Sequence, residues 1–161
     1  MEKVEIQIDI EERRRRAVEY FIQGYNCAQS VLLAYTDVFD LDSELAKRIG
    51  GSFGGGMGRL REVCGAVTGM FAILGLHYSA VNPDEKAVKT ANYAAVQRTA
   101  KAFKDQFGTI NCRELLGIKR QKESYVPSDR TAAYYATRPC ARFVGEAAAI
   151  VGRELQAGQL L

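Results

Sequence analysis

Apolar residues recur in several segments of this 161-residue chain at the spacing of an α-helix. One such set lies three to four residues apart and therefore shares a helical face: Ala28, Val31, Leu32 and Tyr35. A second set forms a stripe near the C-terminus: Ala141, Val144, Ala148, Val151 and Leu155. No stretch alternates apolar and polar residues as a half-buried strand does. The pattern therefore predicts an all-α protein.

The same periodicity, with capping residues at its edges, predicts about six to seven helices. Their expected ranges are 8–23, 26–38, 42–49, 63–78, 83–107, 110–116 and 138–156. The helix from Pro83 should be the longest, with Asn82 as its cap and Asp84 and Glu85 in a first turn that favours negative charge. Two segments lack helical periodicity, the glycine-rich 50–58 and the polar 119–129. Neither resembles a linker, so we expect residues 1–161 to form a single-domain helical bundle.

Composition supports this expectation and excludes some functions. With 47% hydrophobic and 25% charged residues, the chain can bury one sizeable core. Its net charge of +3 comes from 22 basic and 19 acidic residues that are mixed along the sequence, which argues against a nucleic-acid partner. The charged N-terminus lacks the apolar run of a signal peptide or membrane helix. We therefore expect a cytoplasmic protein without membrane insertion.

Four cysteines are the candidate functional residues, and each lies at a predicted helix start. Asn26 precedes Cys27, Asn111 precedes Cys112 and Pro139 precedes Cys140, whereas Cys64 precedes the small residues of 65–69. Backbone N–H groups and the helix dipole stabilise negative charge at this end of a helix, which favours the thiolate. The thiolate is both the nucleophile and the metal ligand, so the pattern predicts chemistry at the sulfurs.

The spacing of the cysteines excludes a local motif. They are 37, 48 and 28 residues apart, so no pair forms the CxxC of thioredoxins or zinc ribbons. A site must then be assembled by the fold, with several helix N-termini meeting at one place. The alternative is that the cysteines are merely small buried residues, which is a common fate of free cysteine.

The order Cys27, Cys64-Gly65-Ala66-Val67-Thr68-Gly69, Cys112, Cys140 resembles the C_GCAxxG_C_C family of redox-active proteins. The family label writes glycine before cysteine, whereas this chain has Val63 before Cys64 and contains CGAxxG. The resemblance extends from about residue 20 to residue 149. It implies a redox role that the four cysteines perform together.

The first hypothesis is thiol/disulfide exchange or electron transfer, which would make the protein a thiol/disulfide oxidoreductase. Cys64 is then the expected attacking thiolate and Cys27 a plausible resolving partner, with three pairings of four cysteines open. The small residues Gly65, Ala66 and Gly69 would let another backbone or a bound group approach. The expected partner is a redox protein or a small-molecule thiol or disulfide.

Two other hypotheses stay open. All four cysteines, Cys27, Cys64, Cys112 and Cys140, could instead hold zinc or an iron–sulfur cluster, whereas dithiol chemistry requires no cofactor. Alternatively, the chain could be a non-catalytic interaction module that dimerises through the apolar stripe of its last helix.

Residues near the cysteines carry weaker expectations. The loop 50–58 lacks the lysine and hydroxyl residue of a phosphate-binding loop, so we expect it to allow close packing near Cys64, with Phe53 and Met57 in the core. His77 should lie about 20 Å along its helix from Cys64, too far for a catalytic pair. Arg113, Arg138 and Arg142 flank cysteines and would lower thiol pKa values if they turned inward.

Overall fold

The computed structural model describes residues 7–79 and 81–157 of the chain. Regular structure within these ranges consists of helical segments: α1 (Ile10–Ile22), α2 (Cys27–Leu33), α3 (Ser43–Gly50), α4 (Gly54–Met57), α5 (Gly65–Tyr78), α6 (Lys86–Phe107), α7 (Cys112–Leu116), α8 (Ala132–Thr137) and α9 (Cys140–Ala157). Extended pairing in the same ranges is confined to one antiparallel bridge between Val63 and Asn111. The prediction of an all-α fold is confirmed.

All seven predicted helices are present, and side-chain caps explain where several of them begin. The carboxylate of Asp9 accepts a hydrogen bond from the Glu12 N–H at the start of α1, and that of Asp42 accepts one from the Leu45 N–H at the start of α3. Such caps satisfy N–H groups that have no partner inside the helix. Because capping is local, these starts could be predicted from sequence.

The predicted start of the longest helix is wrong by three residues. Helix α6 begins at Lys86, not at Pro83, and Asn82 does not cap it. Instead, the Glu85 N–H donates to the Asn82 carbonyl at 3.4 Å, which closes a turn with Pro83 at its second position. Proline at that position favours a turn, and here the turn precedes the helix.

Two helical segments lie outside every predicted range: α4, a four-residue segment with left-handed backbone at Gly55 and Gly56, and α8. Helix α8 spans Ala132–Thr137. Thr131 caps it, because the Thr131 side chain accepts a hydrogen bond from the Tyr134 N–H at 3.1 Å. The threonine cap is a sequence signal for this helix. The helix has no fully buried residue, so it lacks the apolar periodicity on which the prediction depended.

Helix α9 forms the centre of the core, because α1, α2, α5 and α6 all pack against it. Its predicted stripe points inward, with Val144, Ala148, Val151 and Leu155 completely buried. The hypothesis of a homodimer formed through this stripe is therefore wrong, since the chain itself covers the stripe. Within the two described ranges, no helix combines the length and apolarity needed to cross a membrane.

Candidate functional site

The four cysteines all lie at helix N-termini. Cys27, Cys112 and Cys140 are the first residues of α2, α7 and α9, and Cys64 immediately precedes α5. Asn26 caps α2 by accepting from the Gln29 N–H, and the Gln29 side chain accepts in return from the Asn26 N–H. Asn111 similarly caps α7. Local capping therefore places Cys27 and Cys112 where their sequence neighbours predicted.

The antiparallel bridge joins the segments that precede α5 and α7. The Cys64 N–H donates to the Ile110 carbonyl at 2.8 Å, and the Cys112 N–H donates to the Glu62 carbonyl at 2.6 Å. These two hydrogen bonds hold the starts of both helices side by side. Cys64 and Cys112, which are 48 residues apart in sequence, thereby enter one site.

The glycine-rich segment forms a left-handed turn against this site. Residues 55–59 all have positive φ, between 59° and 69°. A Cβ atom at Gly56 would lie 2.6 Å from the Cβ of Cys112 and 2.8 Å from the Cα of Arg61, so only glycine fits there. The turn thus brings backbone, not side chains, to the cysteines. Phe53 is accordingly 38% exposed, and its predicted place in the core is wrong.

A small pocket of about 60 Å³, which we call the inner pocket, contains all four cysteines in its lining. The structure therefore brings together Cys27, Cys64, Cys112 and Cys140, which sequence spacing could not establish. The inner pocket is also lined by three guanidinium groups, those of Arg61, Arg130 and Arg138, and by no carboxylate among the described residues. A positively charged pocket stabilises thiolate.

Cys27 and Cys140 both line this pocket, and each shifts the pKa of the other. Donation by the Cys27 thiol, together with Arg138, Arg130 and Arg61, lowers the pKa of Cys140 to about 7 despite its burial. The same interaction, together with burial, raises the pKa of Cys27 well above its ordinary value. The interaction between the two thiols therefore favours the thiolate on Cys140 and the protonated thiol on Cys27.

The pKa of Cys64 is higher than its position at a helix start predicted. Burial raises its pKa to about 12, although the N–H groups of Ala66 and Val67 act in the opposite direction. The side chain is only 4% exposed. The benefit of the helix N-terminus is thus smaller than the cost of removing a charged sulfur from water.

Cys112 is buried beside a charged residue that sequence reasoning did not place in the site. Burial raises the pKa of Cys112, and the guanidinium of Arg61, 3.7 Å from its sulfur, partly offsets this effect. Arg61 is itself buried and pairs with Glu123 at 2.8 Å. The pairing lowers the pKa of the Glu123 carboxyl and holds the guanidinium against the sulfur.

Of the three arginines expected to influence the cysteines, one lines the pocket. Arg138 does so, whereas Arg142 stacks over the Phe107 ring and Arg113 donates to the carbonyls of Leu60 and Lys119. Arg130 lines the pocket instead, 10 residues before Cys140. No local pattern marks Arg130, because its position depends on contacts with residues more than 100 positions away.

His77 lies in the last turn of α5, as its position in the sequence indicated. Its ring contacts those of Phe39 and Tyr78, and burial lowers its pKa. His77 does not line the inner pocket. This placement agrees with the expectation that His77 lies too far from Cys64 to form a catalytic pair with it.

The small residues after Cys64 mainly serve the crossing of α5 and α2. A Cβ atom at Gly69 would lie 2.9 Å from the Ala28 carbonyl oxygen, and one at Gly65 would lie 3.1 Å from the Cys27 Cβ. Ala66 is completely buried. Of the three, Gly65 lines the inner pocket. The backbone that approaches them is therefore that of α2 and, at Gly65, also that of Phe53, whose carbonyl oxygen would lie 2.8 Å from a Cβ atom there, whereas contact with a bound group stays a prediction.

The described residues contain no group of three or more histidine, cysteine, aspartate or glutamate side chains arranged to hold a metal ion. The four cysteines lie within these residues. They share one pocket without the convergence of sulfurs that a zinc or iron–sulfur site needs.

Comparison with known proteins gives one match. Neither the curated proteins nor the solved structures contain a significant match to the chain. The family model described as "Putative redox-active protein (C_GCAxxG_C_C)" matches residues 25–154, which include all four cysteines. The chain therefore belongs to the C_GCAxxG_C_C family of redox-active proteins.

Proposed function

We propose that this protein performs thiol–disulfide exchange, with Cys140 as the attacking thiolate and Cys27 as the resolving thiol. Membership of a redox-active family supports the class of chemistry. The opposite effects of Cys27 and Cys140 on each other's pKa, inside a pocket lined by arginines, support the choice of this pair. Their place in the lining of one small pocket is the observation that carries the proposal, because exchange requires two sulfurs within reach of each other.

The first step consumes the thiolate. The Cys140 sulfur attacks one sulfur of a substrate disulfide, a Cys140–substrate disulfide forms, and the substrate S–S bond breaks. The departing substrate thiolate takes up a proton to become a thiol. A pKa near 7 suits this role, since the thiolate is populated at neutral pH and keeps most of its nucleophilicity.

The second step resolves the mixed disulfide. Once the negative charge of Cys140 has been used in bond formation, Cys27 no longer donates to it and loses its proton to solvent or to the departing thiolate. The Cys27 sulfur then attacks that of Cys140, which releases the second substrate thiol and leaves a Cys27–Cys140 disulfide. The protein has lost two electrons and the substrate has gained them. An external thiol or dithiol reverses the process and regenerates the protein.

This assignment changes the role expected for Cys64. The sequence favoured Cys64 because small residues follow it, but those residues pack against α2, and the sulfur is buried with its pKa near 12. A thiol in that state is a poor nucleophile at neutral pH. Cys27, which keeps more exposed surface than the other three cysteines, retains its expected resolving role.

The test is to count and map thiols before and after mild oxidation of anaerobically purified protein. We expect two of four thiols to be lost and peptide mapping to find a Cys27–Cys140 disulfide. Cys140→Ser and Cys27→Ser should abolish this disulfide, whereas Cys64→Ser should still form it. A disulfide to Cys64 in the wild-type protein would contradict the assignment.

Elemental analysis of the same preparation tests the remaining hypothesis, which is that the cysteines hold a metal. About one equivalent of zinc, or iron with sulfide, retained by all four cysteines would replace the exchange proposal with a metal site.

A further inference from the structure

A second, larger cavity opens beside the inner pocket. This outer cavity encloses about 310 Å³ and shares Arg61, Arg130 and Arg138 with the inner pocket. Arg59 joins these three in its lining, so four guanidinium groups surround it. Its volume lies at the lower end of the range for small-ligand sites, about 300 to 1,000 Å³.

Positive charge predominates in the lining of the outer cavity. Glu123 pairs with both Arg59 and Arg61, which neutralises one of their two charges. Arg130 is held by the carbonyls of Phe21 and Tyr25, each at 3.0 Å, and forms no ion pair within the described part of the chain. Arg138 likewise lies over the Tyr134 ring without an ion pair among those residues. Two fixed cations therefore face a space large enough for a ligand.

Backbone strain supports a binding role for this wall. Arg59 and Arg61 have φ of 66° and 58°, a left-handed conformation that is unfavourable for a residue with a Cβ. Such strain is concentrated at functional sites, where surrounding contacts hold it in place. Here it places two arginine side chains on the cavity wall.

We infer that the outer cavity binds the anionic group of a small carboxylate-bearing disulfide and thereby presents its sulfur atoms to Cys140 in the inner pocket. This inference rests on the proposed exchange reaction and adds the class of its substrate. The inner pocket has room for a few heavy atoms only, so it accepts the S–S bond but not a whole substrate. The adjoining outer cavity accommodates the rest.

Carboxylates suit the arginines because a guanidinium group donates two parallel hydrogen bonds to them. Binding would hold the disulfide near the attacking sulfur and convert the encounter into an intramolecular reaction. The bonds that form and break are those of the exchange reaction described above.

The test compares three disulfides of similar size as oxidants of the reduced protein: dithiodipropionate with two carboxylates, the uncharged hydroxyethyl disulfide, and cystamine with two ammonium groups. The second-order rate constant for loss of the Cys140 thiol is measured for each. We expect dithiodipropionate to react at least about tenfold faster than hydroxyethyl disulfide, and cystamine to react most slowly. The differences should shrink as salt is added.

Variants separate anion binding from thiolate activation. Arg138→Gln raises the pKa of Cys140 and so slows all three reactions, but the ratio of the dithiodipropionate rate to the hydroxyethyl disulfide rate cancels that effect. We expect this ratio to fall about tenfold. Arg142→Gln is the matched control, because Arg142 lies as far from Cys140 in sequence but stacks on Phe107 outside the cavity. Its ratio should equal that of the wild type.

Equal rates for the three disulfides, with the Cys27–Cys140 disulfide still formed, would overturn the substrate class and leave exchange intact. An equal fall of the ratio in both arginine variants would also overturn it, since net charge would then explain the preference. Failure of every disulfide to form the Cys27–Cys140 bond would instead contradict the proposed function.

Discussion

At the scale of single residues, Cys27 should control how the Cys140 thiol titrates. The pKa of Cys140 is about 7, and Cys27 is the largest cause of its decrease. Removing the donor with Cys27→Ala should raise the midpoint by about one to two pH units, because a hydrogen bond to a charged group contributes about 1.5 to 3 kcal/mol. Cys27→Ser keeps an O–H donor and should give a smaller rise.

The measurement is the pH dependence of Cys140 alkylation by iodoacetamide, followed by mass spectrometry of the digested protein. Cys64 serves as an internal control, since it is buried and should react only when denaturant unfolds the protein. A wild-type midpoint for Cys140 at or above that of an ordinary thiol, about 8.5, would contradict the role given to Cys27 and the arginines.

At the scale of helices, the close crossing of α2 and α5 supports the site because each helix places a cysteine in the inner pocket. The crossing depends on Gly69, where a Cβ atom would lie 2.9 Å from the Ala28 carbonyl oxygen and 3.1 Å from the Val31 Cβ. The Ala28 carbonyl belongs to the backbone, so it cannot move aside as the end of a flexible side chain can. The glycine that ends the CGAxxG motif therefore determines how closely the two helices approach.

Gly69→Ala should lower the free energy of unfolding by about 1 to 3 kcal/mol, the usual cost of overpacking a core. Gly75→Ala is the matched control in the same helix, because no atom lies within 4 Å of its Cβ position. That substitution should raise stability by about 0.5 to 1 kcal/mol through better helix propensity. Urea denaturation measures both changes. Equal stabilisation by the two substitutions would show that the helices do not cross this closely.

At the scale of the whole molecule, a partly buried ion pair connects α1 to the turn that follows α2. Arg13 is 7% exposed and donates two hydrogen bonds to the Asp37 carboxylate, at 2.6 and 2.9 Å. It also donates to the Ala34 carbonyl at 2.8 Å. These bonds lower the pKa of Asp37 in the folded protein. The interaction therefore stabilises the fold above the unfolded pKa, about 3.9, and this stability is lost as the pH falls through the folded pKa.

Asp37→Asn should lower the free energy of unfolding at neutral pH by about 1 to 2 kcal/mol, less than for a fully buried pair because Asp37 is half exposed. The difference from the wild type should shrink as the pH falls below about 4. Urea denaturation at several pH values measures it. Asp105→Asn removes an exposed pair with Lys101 and should cost only about 0.3 to 0.5 kcal/mol. If the difference in unfolding free energy between the wild type and Asp37→Asn stayed the same in acid, it would not come from the charge of Asp37.

The fold was largely predictable because its helices are specified by local features. Val144, Ala148, Val151 and Leu155 are spaced for one face, and that face is the buried one in α9. Asn26 and Asn111 cap helices through bonds to residues three positions away. Helix α8 escaped prediction since none of its residues is buried, and the start of α6 was misplaced because Pro83 suits both a helix and a turn.

The sequence by itself determined seven of the helices, the placement of four cysteines at their starts and the family, because periodicity, capping and motif order are local properties of the chain. Only the tertiary structure decided that the four cysteines line one pocket, how burial shifts the pKa of their thiols and which arginines surround them. A thiol's pKa depends on the water excluded by distant segments and on charges brought near by folding. Arg130 reaches the pocket through carbonyls more than 100 residues away, and the start of α5, next to Cys64, packs against Cys27 and Ala28 of α2. No local sequence pattern predicts these contacts.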